Sequence, residues 1–234
     1  MPEHYTTAYE LALITDYALN NTKFAQIVNT KTYTVTINGY TKTLSNTNEL
    51  LGNIEGVNGV KTGFTNGANR CLVSSVKRGD MNVITVVLGA DTKKHRTTDS
   101  IKLIEYAYNN YEMVDIRNIV DNKFEDWKRN NEKEIIVNKA KEDNLEIYME
   151  DIKQSKFPIR KNEKDNIEVE IEYIKYLESP LSKDQIIGEA KIMINNKEEV
   201  CLKLFIGKEV KKKNVFDYYI SIIKNYNIYI ESII

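Results

Sequence analysis

The triplet Lys61-Thr62-Gly63 combines residue types that could bind a peptide through its carboxylate. Lysine supplies a cation and threonine a hydroxyl donor, and a carboxylate accepts hydrogen bonds from both. Glycine has no side chain, so an extended ligand backbone can approach a strand there and pair with its edge. A phosphate-binding loop is excluded because Val60 separates Gly59 from Lys61, which that motif requires to be adjacent. A plain glycine-rich turn before a strand is the alternative interpretation.

The segments that follow the triplet predict strands and then a helix. Alternating apolar residues predict strands over Asn69–Lys77 and Asn82–Ala90, joined by a turn at Arg78-Gly79-Asp80. Lys93 to Arg96 open a helix that we expect from about Thr97 to Tyr111. Its predicted core positions are Ile101, Ile104, Ala107 and Tyr108.

The segments before the triplet predict two helices and a hairpin. Thr7 and Glu10 have the spacing of a capping box, which predicts a helix to about Asn20. The predicted core face of this helix consists of Leu11, Ile14 and Ala18. Thr22 is expected to cap a short second helix that ends at Val28. Strands over Thr32–Ile37 and Tyr40–Leu44 flank Asn38-Gly39, which is a strong two-residue hairpin signal.

This order of segments around the triplet is similar to that of the low-molecular-mass penicillin-binding proteins, which are serine-type D-Ala-D-Ala carboxypeptidases. Lys-Thr-Gly is the third signature of enzymes that handle D-alanyl peptides and penicillins. The resemblance covers most of the span from Tyr5 to Tyr111. It implies the C-terminal half of an α/β transpeptidase or β-lactamase-like domain, an antiparallel sheet with a helix packed on it, without the half that precedes it.

The resemblance also implies a reaction. Family members remove the terminal D-Ala from peptidoglycan stem peptides through an acyl-serine, without a cofactor or metal, and they bind β-lactams. They require an S-x-x-K motif and an S-x-N motif before Lys-Thr-Gly. S-x-N does not occur in this sequence. S-x-x-K occurs as Ser74–Lys77, in a predicted strand, and as Ser221–Lys224, in the terminal segment, and both follow the triplet. We therefore predict that no catalytic residue is present, and that the chain alone neither hydrolyses peptides nor forms a covalent penicillin adduct.

The resemblance assigns substrate-binding roles to five residues. Lys61 would bind the substrate carboxylate, Thr62 would donate to it, and Gly63 would let the substrate backbone approach. The backbone N–H of Phe64 would supply one oxyanion donor. Arg96 matches a family arginine near the terminal carboxylate; a solvated arginine at a helix start is the alternative. Neither histidine, His4 nor His95, has a carboxylate partner at motif spacing, and we assign neither a role.

Beyond residue 113 the composition shifts toward Lys, Glu, Asn and Ile, and strand patterns recur. Predicted strands lie at Glu134–Val137, Leu145–Met149 and Ile167–Ile174, and then Gly188–Ile194 and Glu199–Phe205 flank Asn195-Asn196. This spacing predicts a small all-β sandwich, and residues 177–205 resemble the β-rich C-terminal domain of the same carboxypeptidases. We therefore predict three parts: residues 1–113 from the catalytic domain, residues 114–210 as the β-rich domain, and residues 211–234 as a membrane-anchor segment.

The anchor prediction depends on charge and spacing in the terminal segment. Three lysines, residues 211–213, precede a stretch with an apolar face and a polar face, Val215–Ile234. It has too many polar groups for a good membrane span but suits an amphipathic helix in the membrane interface. A helix docked on the protein body is the alternative. The resemblance implies the outer face of the bacterial cytoplasmic membrane, although Met1-Pro2-Glu3-His4 is not the start of a signal peptide.

Composition excludes some other functions. The chain has 234 residues and a net charge of −1, which argues against a nucleic-acid partner. Cys71 and Cys201 have no metal-site spacing, and we expect buried free thiols. Two alternatives stay open: a non-catalytic membrane-surface binding or scaffold protein derived from the family, and, less favoured, a class A β-lactamase.

Overall fold

The computed structural model describes residues 5–142, 144–164, 166–220 and 222–223. The chain divides into two compact units, Met1–Met113 and Val114–Ile234. In this division unit 1 contains the Lys-Thr-Gly triplet. The assignment of residue ranges to three parts stays a prediction, since the division concerns compactness alone.

Unit 1 begins with two helices and a hairpin. Helix α1 (Ala8–Leu19) has the predicted capping box at Thr7 and Glu10. Helix α2 (Thr22–Val28) is capped by Asn21, whose Oδ1 accepts from two backbone N–H groups, so the prediction that Thr22 caps it is wrong by one residue. Strands β1 (Thr32–Ile37) and β2 (Tyr40–Ser45) form the predicted antiparallel hairpin.

A three-stranded antiparallel sheet carries the rest of unit 1. Its order is β3-β4-β5, with β3 at Val57–Thr65, β4 at Asn69–Arg78 and β5 at Met81–Ala90. Helix α3 runs over Lys93–Asn110 and packs on β4 and β5 with its fully buried Ile104, as predicted for that position. Among the described residues β3 pairs with β4 alone, so no strand pairs with its other edge, where Asn48 bonds the Gly59 carbonyl oxygen. The triplet therefore lies on an edge strand.

A polar cluster fastens α3 to the β4–β5 hairpin. The Tyr108 hydroxyl lies 2.7 Å from Val76 O and 3.1 Å from Met81 O. The Arg78 guanidinium stacks on the Tyr108 ring and donates to Glu105 at 2.8 Å. This hydrogen bond lowers the pKa of the Glu105 carboxyl. The cluster holds the sheet and the helix that together border the triplet.

Helix α1 has apolar residues on opposite sides. It packs on β5 through a face that includes the buried Thr15 and the half-buried Leu11 and Ala18. Ile14 is 61% exposed, so its predicted place on the core face is wrong. It lies one position, or about 100° of rotation, from Thr15 and so points away from the sheet. On the opposite side Leu13 and Tyr17 are also exposed.

Unit 2 is rich in β-structure, as predicted, and also contains a helix that the sequence did not predict. Strand β6 (Tyr111–Asp115) spans the boundary between the units, and helix α4 (Arg117–Asn131) follows with a short 3-10 turn. The remaining strands are short or hairpin-paired: β7 (Ile136–Asn138), β8 (Ile147–Met149), β9 (Lys156–Arg160), β10 (Ile167–Tyr173), β11 (Tyr176–Glu178), β12 (Ile186–Ile194) and β13 (Lys197–Ile206).

The main sheet of unit 2 is antiparallel, with the order β10-β12-β13-β8, and β11 pairs with β7 in parallel. Asn195 and Asn196 both adopt positive φ in the β12–β13 turn, which suits a two-residue hairpin. The prediction of buried thiols is wrong for Cys201, which is exposed, while Cys71 is half-buried. Cys201 is exposed because it falls on the outward register of β13, between the inward-facing positions.

Candidate functional site

The Lys-Thr-Gly triplet lies near the end of β3 and borders a groove of about 420 Å³. The groove is lined by the triplet, by the Phe64 that follows it, by Asn46, Thr47 and Glu49 from the loop before β3, and by Arg70, Lys93 and Arg96. The structure therefore brings all five predicted substrate-binding residues to one groove. No role was predicted from the sequence for the other lining residues.

Lys61 and Thr62 present the polar groups predicted for them. The exposed Lys61 turns its Nζ to the Thr62 carbonyl oxygen at 2.5 Å. The half-buried Thr62 places its hydroxyl 2.6 Å from the hydroxyl of Thr47. Within the described part of the chain Lys61 Nζ donates to one backbone carbonyl, so it keeps donors for an incoming carboxylate, since an ammonium has three.

Phe64 and Arg70 line the groove together. Arg70 lies opposite Phe64 in the β3–β4 register, and its guanidinium sits 4.7 Å from the centre of the exposed Phe64 ring. This stacking keeps the guanidinium at the groove, since a cation is attracted to the ring face. Arg70 is a lining cation that sequence reasoning missed, because only the strand pairing brings it to Phe64.

Arg96 is near the groove but is not freely exposed. The residue is 4% exposed, and its Nη2 lies 3.4 Å from Glu49 Oε2. The same carboxylate oxygen accepts from Thr97 Oγ1 at 2.9 Å. The alternative interpretation of Arg96 as a solvated helix-start residue is wrong, because it is buried and ion-paired. Glu49 pairs with Nη2 alone, and the buried Arg96 Nε has no hydrogen-bond partner among the described residues.

The groove has an excess of positive charge. Lys61, Arg70, Lys93 and Arg96 line it together with one carboxylate, that of Glu49. Opposite charges attract more strongly near a protein surface than in bulk water, so this set favours an anionic ligand. The arrangement can bind a carboxylate at the edge of a strand.

The two S-x-x-K sequences are not placed for catalysis among the described residues. Ser74 is fully buried in β4, and Lys77 is exposed, so the two side chains do not share a site. The second sequence involves Ser221 and Lys224, which lie outside the described residues, as does the N-terminal His4.

An edge strand with Lys-Thr-Gly, a helix-backed antiparallel sheet and a following β-rich unit are the features expected from the resemblance to the low-molecular-mass penicillin-binding proteins. Comparisons with known proteins find a matching family model in each of the two units. The D-alanyl-D-alanine carboxypeptidase family model matches residues 1–92. The model of the penicillin-binding protein 5 C-terminal domain matches residues 127–212. Together the two matches support a low-molecular-mass penicillin-binding protein, of which this chain represents a part.

Curated relatives match nearly half of the chain. The D-alanyl-D-alanine carboxypeptidase DacF of Bacillus subtilis is 37% identical over 110 residues, which cover 47% of this chain and 28% of the relative. The D-alanyl-D-alanine carboxypeptidase of Streptomyces sp. is 37% identical over 111 residues, which cover 45% of this chain and 38% of the relative. The matches thus span about a third of these relatives' length.

Solved structures support the fold. Penicillin binding protein 5 from Haemophilus influenzae aligns with a TM-score of 0.60 at 24% identity, over 91% of this chain and 58% of that one. Penicillin binding protein 6B from Escherichia coli aligns with a TM-score of 0.56 at 23% identity, over 86% of this chain and 50% of that one.

Proposed function

We propose that the groove beside β3 binds the D-alanyl-D-alanine end of a peptidoglycan stem peptide, and β-lactams, as part of a serine-type D-Ala-D-Ala carboxypeptidase. Lys61 and Thr62 bind the terminal carboxylate, and Gly63 lies beside the extended peptide backbone. The Phe64 N–H supplies one donor to the oxyanion that forms during acyl transfer. Arg96 adds positive charge at the groove, where its Nη2 is paired with Glu49.

The observation that carries this proposal is that the fold itself does not require glycine at position 63. A Cβ added to Gly63 would meet only Cys71 Cβ, at an ordinary 3.7 Å, and Gly63 does not adopt the left-handed conformation. Gly56, just before β3, has φ +80 and would place a Cβ 2.4 Å from the Lys77 carbonyl oxygen. The fold therefore requires glycine at 56, while an incoming backbone at the open edge gives a reason for glycine at 63.

Hydrolysis requires a nucleophile that this sequence does not contain at the groove. In our proposal the part of the domain that bears S-x-x-K and S-x-N packs on the outer side of α1. Leu13, Ile14 and Tyr17 expose apolar surface there, and Tyr17 is 83% exposed. A helix with apolar residues on two opposite sides can be buried between two layers. The packed segment would bring the serine to the groove beside β3.

Intact-mass measurement tests this proposal. The chain incubated alone with a penicillin should show no mass increase. Co-expression with the part of the Bacillus subtilis relative that precedes its matched region should yield a penicillin adduct on that segment. Leu13→Glu should abolish the adduct, whereas Lys77→Glu, at an exposed site on β4, should not. An adduct on the chain alone would contradict the proposal. A well-formed complex that never acylates would favour the non-catalytic scaffold.

Carboxylate binding has a separate test. N-acetylated D-alanyl-D-alanine should shift the amide signals of Thr62 and Phe64 in the isotopically labelled chain. Lys61→Gln should weaken this binding by about 10- to 150-fold, since a hydrogen bond to a charged group contributes roughly 1.5–3 kcal/mol. Lys77→Gln is the matched control on the neighbouring strand and should bind as the unchanged chain does. Equal binding by both variants would remove Lys61 from the site.

The terminal segment, Lys211–Ile234, supports a proposed association with the membrane surface. Residues 215–220 and 222–223 are helical, and Val215, Phe216 and Ile222 are highly exposed. The described residues contain no helix long and apolar enough to cross a membrane. An exposed apolar helix after three lysines suits the interface of an anionic bilayer, and we place the complete protein on the outer face of the cytoplasmic membrane. Sedimentation with anionic vesicles tests this: Phe216→Glu should reduce binding, while neutral vesicles should bind less than anionic ones.

A further inference from the structure

The loop before β3 places a second threonine, Thr47, beside the Thr62 hydroxyl that we propose binds the ligand carboxylate. Thr47 Oγ1 lies 2.6 Å from Thr62 Oγ1, a distance typical of a strong hydroxyl–hydroxyl hydrogen bond. The two residues are 15 positions apart in sequence. Thr47 is exposed, so water can replace this contact and its loss should cost little stability.

Two asparagines hold Thr47 at this position. Asn46 Nδ2 donates to Thr30 O at 3.1 Å, and its backbone N–H donates to Lys31 O at 2.8 Å. On the other side the buried Asn48 donates to Gly59 O of β3 at 2.9 Å and accepts from Leu50 N at 3.1 Å. Because both neighbours are fixed, the Thr47 hydroxyl is already oriented toward β3 before a ligand arrives.

We propose that Thr47 is a positioning residue that directs the Thr62 hydroxyl toward the ligand carboxylate. This inference rests on the proposed function. A carboxylate can only accept hydrogen bonds, so Thr62 must give it its single hydroxyl hydrogen. The 2.6 Å contact then requires Thr47 to donate and Thr62 Oγ1 to accept. Thr47 thus removes the competing rotamers of the Thr62 O–H.

The effect of Thr47 should pass entirely through Thr62. Thr47→Val keeps the shape of the side chain but removes the donor, so Thr62 is free to turn its hydrogen elsewhere. Thr47→Ser keeps the donor and should restore binding. If Thr62→Val is made first, Thr47→Val should have no further effect, because the hydroxyl that it orients is gone.

The test uses the full chain and two probes, N-acetylated D-alanyl-D-alanine and the same dipeptide with a C-terminal carboxamide. Dissociation constants are measured by nuclear magnetic resonance titration. Thr47→Val should weaken binding of the acid by about 3- to 10-fold, the range expected for one neutral hydrogen bond. It should change binding of the carboxamide much less, and thermal unfolding should not change.

The outcomes separate the inference from the function on which it rests. If the unchanged chain does not prefer the acid to the carboxamide, the carboxylate-binding proposal fails and the inference fails with it. If the unchanged chain prefers the acid but Thr47→Val binds it equally well, only the inference is overturned. If Thr47→Val still weakens binding in the Thr62→Val background, Thr47 contacts the ligand itself and is not a positioning residue.

Discussion

Replacing Gly63 with alanine tests whether this glycine is needed for ligand binding or for the fold. The added Cβ would contact only Cys71 Cβ at 3.7 Å, so the sheet should accept it without rearrangement. Gly56→Ala is the matched comparison just before the same strand. Its Cβ would lie 2.4 Å from the Lys77 carbonyl oxygen, and its φ of +80 disfavours any residue with a side chain.

The expected changes in the free energy of unfolding have opposite signs. Alanine in a strand position is favoured over glycine by roughly 0.5–1 kcal/mol, because glycine loses more conformational freedom on folding. Gly63→Ala should therefore raise the stability of unit 1 by about that amount. Gly56→Ala adds a left-handed conformation, costing roughly 1–3 kcal/mol, to a backbone clash of similar cost. We expect it to lower the stability by about 2–5 kcal/mol.

Hydrogen exchange of the β3, β4 and β5 amides measures the unfolding of unit 1. The single tryptophan of the chain, Trp127, lies in unit 2, so its fluorescence gives an internal reference that neither variant should change. Ligand binding is measured on the same samples. Gly63→Ala should weaken dipeptide binding by about 10- to 100-fold, since an added methyl in a close contact costs roughly 1–3 kcal/mol.

One result would refute this reasoning. If Gly63→Ala destabilised unit 1 as Gly56→Ala does, while binding fell only in proportion to the folded fraction, the glycine would serve the fold. The open edge of β3 would then lose its main support as a peptide-binding site.

Three further predictions concern unit 1. Ile104→Ala should lower the free energy of unfolding by about 2–5 kcal/mol, because Ile104 is fully buried. Ile14→Ala, at an exposed position, should change the free energy of unfolding by less than about 0.5 kcal/mol. Denaturant titration with amide detection checks both. Arg78 lowers the pKa of Glu105, so this ion pair stabilises the fold above the ordinary carboxyl range and is lost as the pH falls through the lowered value. Carboxyl titration by nuclear magnetic resonance should give a Glu105 midpoint below 4.5, and Arg78→Ala should raise it. Ser74→Ala should leave stability unchanged or raise it by about 1 kcal/mol, because within the described part of the chain its buried hydroxyl has no hydrogen-bond partner; marked destabilisation on thermal unfolding would contradict this.

The hairpins and the β3–β5 sheet could be predicted because their signals are local. Asn38-Gly39 adopts the positive φ values of a tight turn, and its flanking residues alternate as strands do. Helix α4 could not be predicted in the same way. Its first residue follows Ile116, which makes no side-chain cap, and no acidic residue occupies its first turn, although Asp115 Oδ1 accepts from the Arg117 N–H. Its buried Val120 and Phe124 and the half-buried Trp127 do have helical spacing, but they lie in a highly charged stretch.

The candidate site was predictable from its motif but not in its surroundings. Lys61, Thr62 and Gly63 are adjacent in sequence, so their chemistry can be read directly. Thr47 and Glu49 reach the groove only because Asn48 ties their loop to Gly59. The burial of Arg96 likewise depends on the packing of α3 and on Glu49, which lies 47 positions earlier in the sequence. Such contacts are tertiary, and no local sequence pattern predicts them.

The open edge of β3 also has a consequence for solubility. A strand with unpaired backbone groups can join another copy of the same strand as readily as it joins a peptide, and this is a route to aggregation. Natural sheets commonly oppose this route with a lysine on the exposed strand. Lys61 stands on that edge strand and is exposed. Two copies aligned edge to edge would bring their Lys61 charges together, so the cation that attracts a carboxylate also repels a second copy of the chain.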